Sequence, residues 1–133
     1  MHAVTKGLRR LVPAIDLLAT SPLTRTTETA NIISTVYGGS GPVPVSALAP
    51  DRAPSAFLRW LFEQATYDII AAVGHDPSLP NIVGLLLTGQ EAPVLLMKKG
   101  GACLLTIDGV PRPGAAVLRW ALEPAHLRDI GRQ

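Results

Sequence analysis

The order of apolar and polar residues divides the first two thirds of the chain into short apolar runs and helical stripes. A helix that packs on a core repeats apolar residues every three or four positions, whereas a strand covered on both faces is apolar throughout. Leu8, Leu11 and Val12 have the helical spacing, and residues 69–73 form an apolar run. The pattern predicts helices over 6–12, 22–37 and 78–88 and another that begins at Pro54, with strands over 15–20, 43–46 and 67–73.

The ends of these elements carry residues that are typical of helix boundaries. Ser21 is expected to be an N-cap, with Pro22 at the first helical position. Gly38 and Gly89 are expected to end the helices that precede them.

The last third of the chain has a different pattern. Strand-like runs cover 94–97, 102–107 and 116–122, and glycine-containing turns join them. Consecutive strands joined by turns pair antiparallel, whereas strands separated by helices pair parallel. The sequence therefore predicts a single domain over 1–133 in the α/β class, a three-layer α/β/α sandwich with a mainly parallel sheet and an antiparallel C-terminal edge.

The composition narrows the classes of function. Of the 133 residues 47% are hydrophobic, which is enough for one core, and the formal net charge is +2. Basic residues are scattered without interleaved aromatic residues, which argues against a nucleic-acid surface. Cys103 is the single cysteine and lies in a strand-like run, so a buried, unreactive thiol is expected. No apolar run approaches the roughly 20 residues of a membrane helix, and we expect a cytoplasmic protein without a membrane partner.

The sequence predicts neither a metal site nor a cofactor. His2, His75 and His126 lie far apart without ligand spacing. The glycine patterns of dinucleotide sites and P-loops are absent.

Two predicted strand ends carry the candidate chemistry. The strand over 67–73 stops at Gly74, so His75 lies where a buried strand opens into a loop. Arg25 lies in the first turns of the helix that follows the first strand. Because the carboxyl ends of parallel strands meet at one edge of a sheet, a guanidinium, an imidazole and a helix N-terminus would converge there. These groups together form an anion site.

Each of these residues also has a purely structural interpretation. Arg25 could be a solvated helix residue paired with Glu28. His75 could do no more than end a strand, and Ser21 could cap a helix instead of acting as a nucleophile.

Three further charged residues have two interpretations. Asp76 is an acidic candidate beside His75, and an aspartate before a proline is also typical of a turn. Lys98 and Lys99 could contact an anionic substrate from a loop, or could simply belong to an exposed turn.

Four segments read TSPLTR followed by ETA over 20–30, VGHDP over 73–77, LMKKGGA over 96–102 and VLRWALEP over 117–124. In this order they resemble the histidine phosphatase superfamily and, within it, the small phosphohistidine phosphatases of the SixA type. The resemblance implies that Arg25 and His75 are catalytic, Arg25 holding phosphoryl oxygens and His75 stabilising the transferring group. It also implies that Ser21 contributes to phosphate binding, and that the partner is a phosphorylated protein or a small phosphoester.

One element of that family has no counterpart in this sequence. The family uses a nucleophilic histidine in an Arg-His-Gly motif at the end of its first strand, and the chain contains no Arg-His-Gly. We therefore expect the first strand to be missing and the first helix to begin at Met1. A missing interior strand leaves its neighbours unpaired, so self-association through an exposed sheet edge is expected.

Three hypotheses of function follow. The first is a phosphohistidine or phosphoester phosphatase that is inactive in this form or needs a longer start. The second is a non-catalytic phosphate-binding or protein-interaction module. The third is an α/β domain with no role in phosphate chemistry, for which oxyanions would give no thermal shift.

Overall fold

Helices and strands alternate along most of the chain in the computed structural model, which describes residues 1–133. The elements are α1 (His2–Leu11), β1 (Leu17–Thr20), α2 (Thr24–Tyr37), β2 (Val43–Pro44), α3 (Pro54–Phe62), β3 (Ile70–Val73), α4 (Ser78–Thr88), β4 (Ala102–Ile107), β5 (Ala116–Leu122) and α5 (Pro124–Gly131). A short 3-10 turn, Ser46–Leu48, follows β2. None of the helices has the length and apolar character of a membrane-spanning segment.

The first three strands form a parallel sheet in the order β2-β1-β3. Thr20 pairs with Pro44 on one side and with Val73 on the other. The carboxyl ends of all three strands therefore lie at the same edge of the sheet, and the segments after β1 and β3 are neighbours.

Two helical layers cover this sheet, because adjacent residues of β1 face opposite sides. Leu18 packs against Ala30 and Ile33 of α2. Ala19 belongs to a larger cluster on the other face, together with residues of the segment that follows β2, of α3, of α4 and of β5: Val45, Ala47, Leu48, Phe57, Ile82, Leu86 and Ala116. This arrangement confirms the predicted α/β layers.

The last two strands pair antiparallel, as predicted, from Ala102 opposite Leu122 to Ile107 opposite Ala116. They form a separate two-stranded sheet and not a continuous edge of the parallel sheet. The apolar run of the predicted strand over 67–73 indicates an interior strand covered by helices on both sides, but β3 lies at the edge of its sheet and its four residues are half-exposed. Both sheets therefore have open edges.

Two helix starts differ from the predicted ones: α1 begins at His2 instead of residue 6, and α2 begins two residues after Pro22. Gly38 and Gly89 end α2 and α4 with positive φ angles of 74° and 86°. Pro54 is the first residue of α3, as expected. Helix α2 begins only at Thr24, with Leu23 as N-cap, because the Ser21 backbone N–H still donates to the sheet. The prediction that Ser21 is the N-cap is therefore wrong.

Three further predictions differ from the structure. Residues 94–97 form no strand, because no neighbouring strand pairs with them, and Leu96 is 94% exposed. The apolar stripe of the helix that begins at Pro54 predicts a buried Phe62, but this side chain is exposed, because α3 ends there. Helix α5 was not predicted; it begins at Pro124 and buries Leu127 completely.

Candidate functional site

The carboxyl ends of β1 and β3 bring Ser21 and His75 together. The Nε2 atom of His75 lies 2.7 Å from the Ser21 hydroxyl oxygen. The Ser21 backbone N–H donates to the Val73 carbonyl at 2.9 Å, which continues the pairing of β1 with β3 one step beyond the strands. Ser21 is completely buried, whereas His75 is half-buried. The histidine ring therefore lies at the surface over a buried serine.

Threonine hydroxyls fix the backbone at Ser21. Its carbonyl oxygen accepts hydrogen bonds from the hydroxyls of Thr20 and Thr26, each at 3.0 Å, and from that of Thr27 at 3.4 Å. The Thr26 hydroxyl also lies 2.9 Å from the Leu23 carbonyl. These bonds join the end of β1 to the first turn of α2. These bonds were not predicted from the sequence, although a threonine-rich run at a strand end was a visible signal.

Arg25 is the second residue of α2 and is exposed. Its guanidinium makes no ion pair; the two ion pairs of the chain join Lys98 to Glu123 and Arg132 to Asp129. The ion pair with Glu28 is therefore not formed, and the structural interpretation of Arg25 reduces to a solvated helix residue. No acidic residue lies in the first turn of α2, so nothing there competes with an anionic ligand.

The loop that carries His75 leads directly into α4. The His75 carbonyl accepts the backbone N–H of Leu79 at 2.6 Å, and the Ser78 hydroxyl donates to the Pro50 carbonyl at 2.9 Å. Asp76 is exposed and has no ion pair. The helices that follow β1 and β3 thus both begin at the same edge of the sheet.

The predicted substrate lysines lie in the segment that leads into β4. Lys98 pairs with Glu123 at 2.6 Å, and the hydrogen bond and charge of Lys98 lower the pKa of that carboxyl. Lys99 is exposed and unpaired. Neither lysine side chain bonds to α2 or to the His75 loop, so the structure does not join them directly to Arg25 and His75.

Three other features of the molecule were compared with the edge that carries Ser21 and His75: possible metal positions, a groove beside β2 and the Cys103 thiol. No three histidine, cysteine, aspartate or glutamate side chains converge on a metal position. A groove of about 320 Å³ lies beside β2 and is lined in part by Arg52, Arg59 and Trp60, without a histidine. Burial raises the pKa of the Cys103 thiol, which keeps it protonated at neutral pH.

Solved structures of similar architecture identify the fold. The protein histidine phosphatase SixA complexed with tungstate matches with a TM-score of 0.80, covering 95% of this chain and 80% of that chain at 15% identity. The chain has the SixA histidine phosphatase fold. A proposed phosphohistidine phosphatase SixA from Agrobacterium tumefaciens matches with a TM-score of 0.56, over 65% of this chain and 56% of that chain, at 16% identity. The resemblance seen in the four sequence segments is thus confirmed at the level of the SixA fold.

Sequence comparison gives a relative but no family description. No protein-family model matches the chain. An uncharacterized protein from Picosynechococcus sp. (strain PCC 7002) is 34% identical over 100 residues, or 74% of this chain. The chain spans 61% of the length of that relative.

Proposed function

We propose that the chain is a protein of the phosphohistidine and phosphoester phosphatase type that binds a phosphoryl group at the carboxyl ends of β1 and β3. Arg25 and His75 are the residues that contact the ligand. The observation that carries the proposal is the hydrogen bond between Ser21 and His75. It ties the loop after β3 to the segment that leads, four residues later, to Arg25.

Each group supplies a different interaction with a tetrahedral oxyanion. The planar guanidinium of Arg25 offers two parallel, charge-assisted hydrogen bonds and remains charged at any relevant pH. The first turn of α2 adds backbone N–H groups and the positive end of the helix dipole. The imidazole of His75 donates a hydrogen bond to a phosphoryl oxygen where charge develops. The SixA structure of the same fold is complexed with tungstate, which is an oxyanion.

In the histidine phosphatases that the chain resembles, turnover uses the nucleophilic histidine of an Arg-His-Gly motif, and this sequence contains no Arg-His-Gly. We therefore propose that the 133-residue chain binds phosphoryl groups without releasing phosphate at a measurable rate. The proposed partner is a phosphorylated protein or a small phosphoester in the cytoplasm. Lys99, and Lys98 if it leaves Glu123, are proposed to contact the substrate around the phosphoryl group. Self-association through an open sheet edge is proposed in addition.

Calorimetric titration of the chain with tungstate and with phosphate tests the site. Arg25→Ala and His75→Ala should each weaken binding at least about tenfold, because each removes a hydrogen bond that involves a charged partner. Arg112→Ala is the matched control, since it removes an exposed arginine from the turn before β5. Absence of binding to the unaltered chain, or equal binding by all three variants, contradicts the proposal.

The same preparations test turnover. Neither p-nitrophenyl phosphate nor a phosphohistidine peptide should release phosphate above the buffer rate. Release that disappears in His75→Ala would contradict the proposed lack of turnover.

A further inference from the structure

We propose that Ser21 is a positioning residue that selects the tautomer of His75. In the neutral ring it holds the proton on Nδ1, so that Nδ1–H is the donor left for a bound oxyanion. The tautomer assignment stands on the geometry of the free protein. Only its consequence for the ligand rests on the proposed phosphate-binding function.

The hydroxyl hydrogen of Ser21 has a single place to go. Ser21 is 0% exposed, so water does not reach this hydroxyl. Its oxygen has two neighbours: the Leu23 backbone N–H at 3.4 Å, which can only donate, and His75 Nε2 at 2.7 Å. Nε2 is therefore the only acceptor for the Ser21 hydroxyl hydrogen.

A buried donor without an acceptor is unfavourable, so the hydroxyl donates and Nε2 accepts. A neutral imidazole has one protonated and one unprotonated nitrogen. When Nε2 accepts, the proton lies on Nδ1. The opposite tautomer would aim two hydrogens at each other across 2.7 Å or leave the buried hydroxyl hydrogen without a partner.

The second ring nitrogen faces no protein partner. His75 is half-exposed and Nδ1 has no hydrogen bond within the chain. In the selected tautomer this nitrogen is a donor, which suits a phosphoryl oxygen. In the other tautomer it would present a lone pair to an anion. Ser21 thus determines what His75 offers to a ligand without touching the ligand itself.

Ser21 can hold the ring in this way because its own position is fixed. Its N–H is bound to Val73 of β3, and its carbonyl receives three threonine hydroxyls. The hydroxyl therefore has a defined place relative to both strand ends. In imidazoles generally, the hydrogen bond that one ring nitrogen makes decides which of the two nitrogens carries the proton.

His126 provides an internal contrast. Its Nδ1 accepts the backbone N–H of Glu123 at 3.3 Å, so the neutral ring of His126 carries its proton on Nε2. The chain should therefore contain two histidines of opposite tautomer. One spectrum can report both.

The test is a two-dimensional ¹H–¹⁵N spectrum of the imidazole rings in the full chain without oxyanion. It is recorded over a series of alkaline pH values, and the pattern that no longer changes with pH is used. We expect an Nδ1–H pattern for His75 and an Nε2–H pattern for His126. In Ser21→Ala the His75 pattern should shift toward a mixture of tautomers, and Ser21→Thr should restore it.

Ser78→Ala is the matched control, because it removes another buried hydroxyl, three residues after His75, that donates to Pro50 instead of to the ring. The His75 pattern should be unchanged in this variant. An Nε2–H pattern for His75 in the unaltered chain overturns the proposal, and so does an unchanged pattern in Ser21→Ala. If Ser21→Ala does not fold, the unaltered chain and Ser21→Thr still decide the tautomer.

Tungstate titration of the same proteins separates this inference from the proposed function. Ser21→Ala should bind about two- to tenfold more weakly, the factor that one neutral hydrogen bond contributes. If tungstate does not bind the unaltered chain, the proposed function fails while the tautomer result stands. Equal binding by the unaltered chain and Ser21→Ala overturns the link between tautomer and ligand.

Discussion

Tyr37 joins the end of α2 to the segment that follows α1. Its hydroxyl donates to the Val12 carbonyl at 2.7 Å. Burial raises the pKa of Tyr37 to about 12, and the positive charge of Arg9 opposes part of this rise. The folded chain therefore holds the phenolic proton more tightly than the unfolded chain does.

This pKa predicts how stability depends on alkaline pH. The contribution of the neutral phenol should be fully present below about pH 10, the ordinary tyrosine pKa, and should be lost as the pH rises to about 12. Tyr37→Phe should lower the free energy of unfolding by about 1 kcal/mol at pH 7 and remove part of the alkaline loss. Urea denaturation at several pH values measures both, with the exposed Tyr67→Phe as control. Identical alkaline profiles for the two variants would contradict this.

For single residues, the sequence predicted where a residue lies in an element better than it predicted the hydrogen-bond partners of that residue. Arg25 and His75 could be singled out because each follows an apolar run. The partners of Ser21 could not, because His75 is 54 positions away and meets it only through the pairing of β1 with β3. The hydroxyl contacts of Thr26 likewise depend on where α2 begins.

Among the elements, α1 and α5 make a close pair that depends on a glycine. A methyl group at Gly7 would overlap the carbonyl oxygen of Leu127. The two helices therefore approach to a distance that only a residue without a side chain permits. Thr5 and Val4 of α1 and Leu127 of α5 are buried in or near this contact.

Gly7→Ala should separate α1 from α5 and lower the free energy of unfolding by at least about 2 kcal/mol, because backbone atoms cannot yield as a flexible side chain can. Gly39→Ala is the matched control, since the nearest atom that a methyl group there would meet is the Ser34 hydroxyl oxygen at 3.8 Å. Thermal unfolding monitored by circular dichroism compares the two. A Gly7→Ala protein as stable as Gly39→Ala would show that the helices do not pack this closely.

The helices and strands were predicted correctly where the sequence pattern of a segment is matched by a neighbouring element that packs or pairs with it. The bounds of β4 and β5 matched because an apolar run, a turn and a second apolar run pair with each other. Residues 94–97 have the same composition but no partner. Helix α5 has a local start signal, Pro124 at its first position after Glu123, yet its packing on α1 spans almost the whole chain.

On the scale of the whole molecule, the main feature is that both sheets have open edges. Strand β4 contains neither a charged residue nor proline, so its free edge lacks the usual protection against pairing. Lys98 and Lys99 precede it and Asp108 follows it. In an antiparallel pair of β4 strands from two copies, the basic end of each would lie beside the acidic end of the other.

We expect the chain to form dimers whose population rises with protein concentration. The population should fall with added salt, because salt screens the attraction between the oppositely charged ends of the two β4 strands. Leu104→Lys places a charge in the middle of β4 and should yield monomers. Val117→Lys, at an exposed position of β5, should leave the dimer unchanged. Light scattering after size-exclusion chromatography gives the masses, and a monomer at all concentrations would refute the proposed association.

The contact between α1 and α5 also has a topological consequence. Gly131 lies so close to α1 that a methyl group there would be 2.7 Å from the Ala3 carbonyl oxygen. A linker of a few residues could thus connect Gln133 to Met1, and the exposed turn after Asp108 could serve as the new opening. Such a circular permutant would begin with β5 and α5 and keep residues 21–99, with every candidate ligand contact, on one uncut stretch of polypeptide.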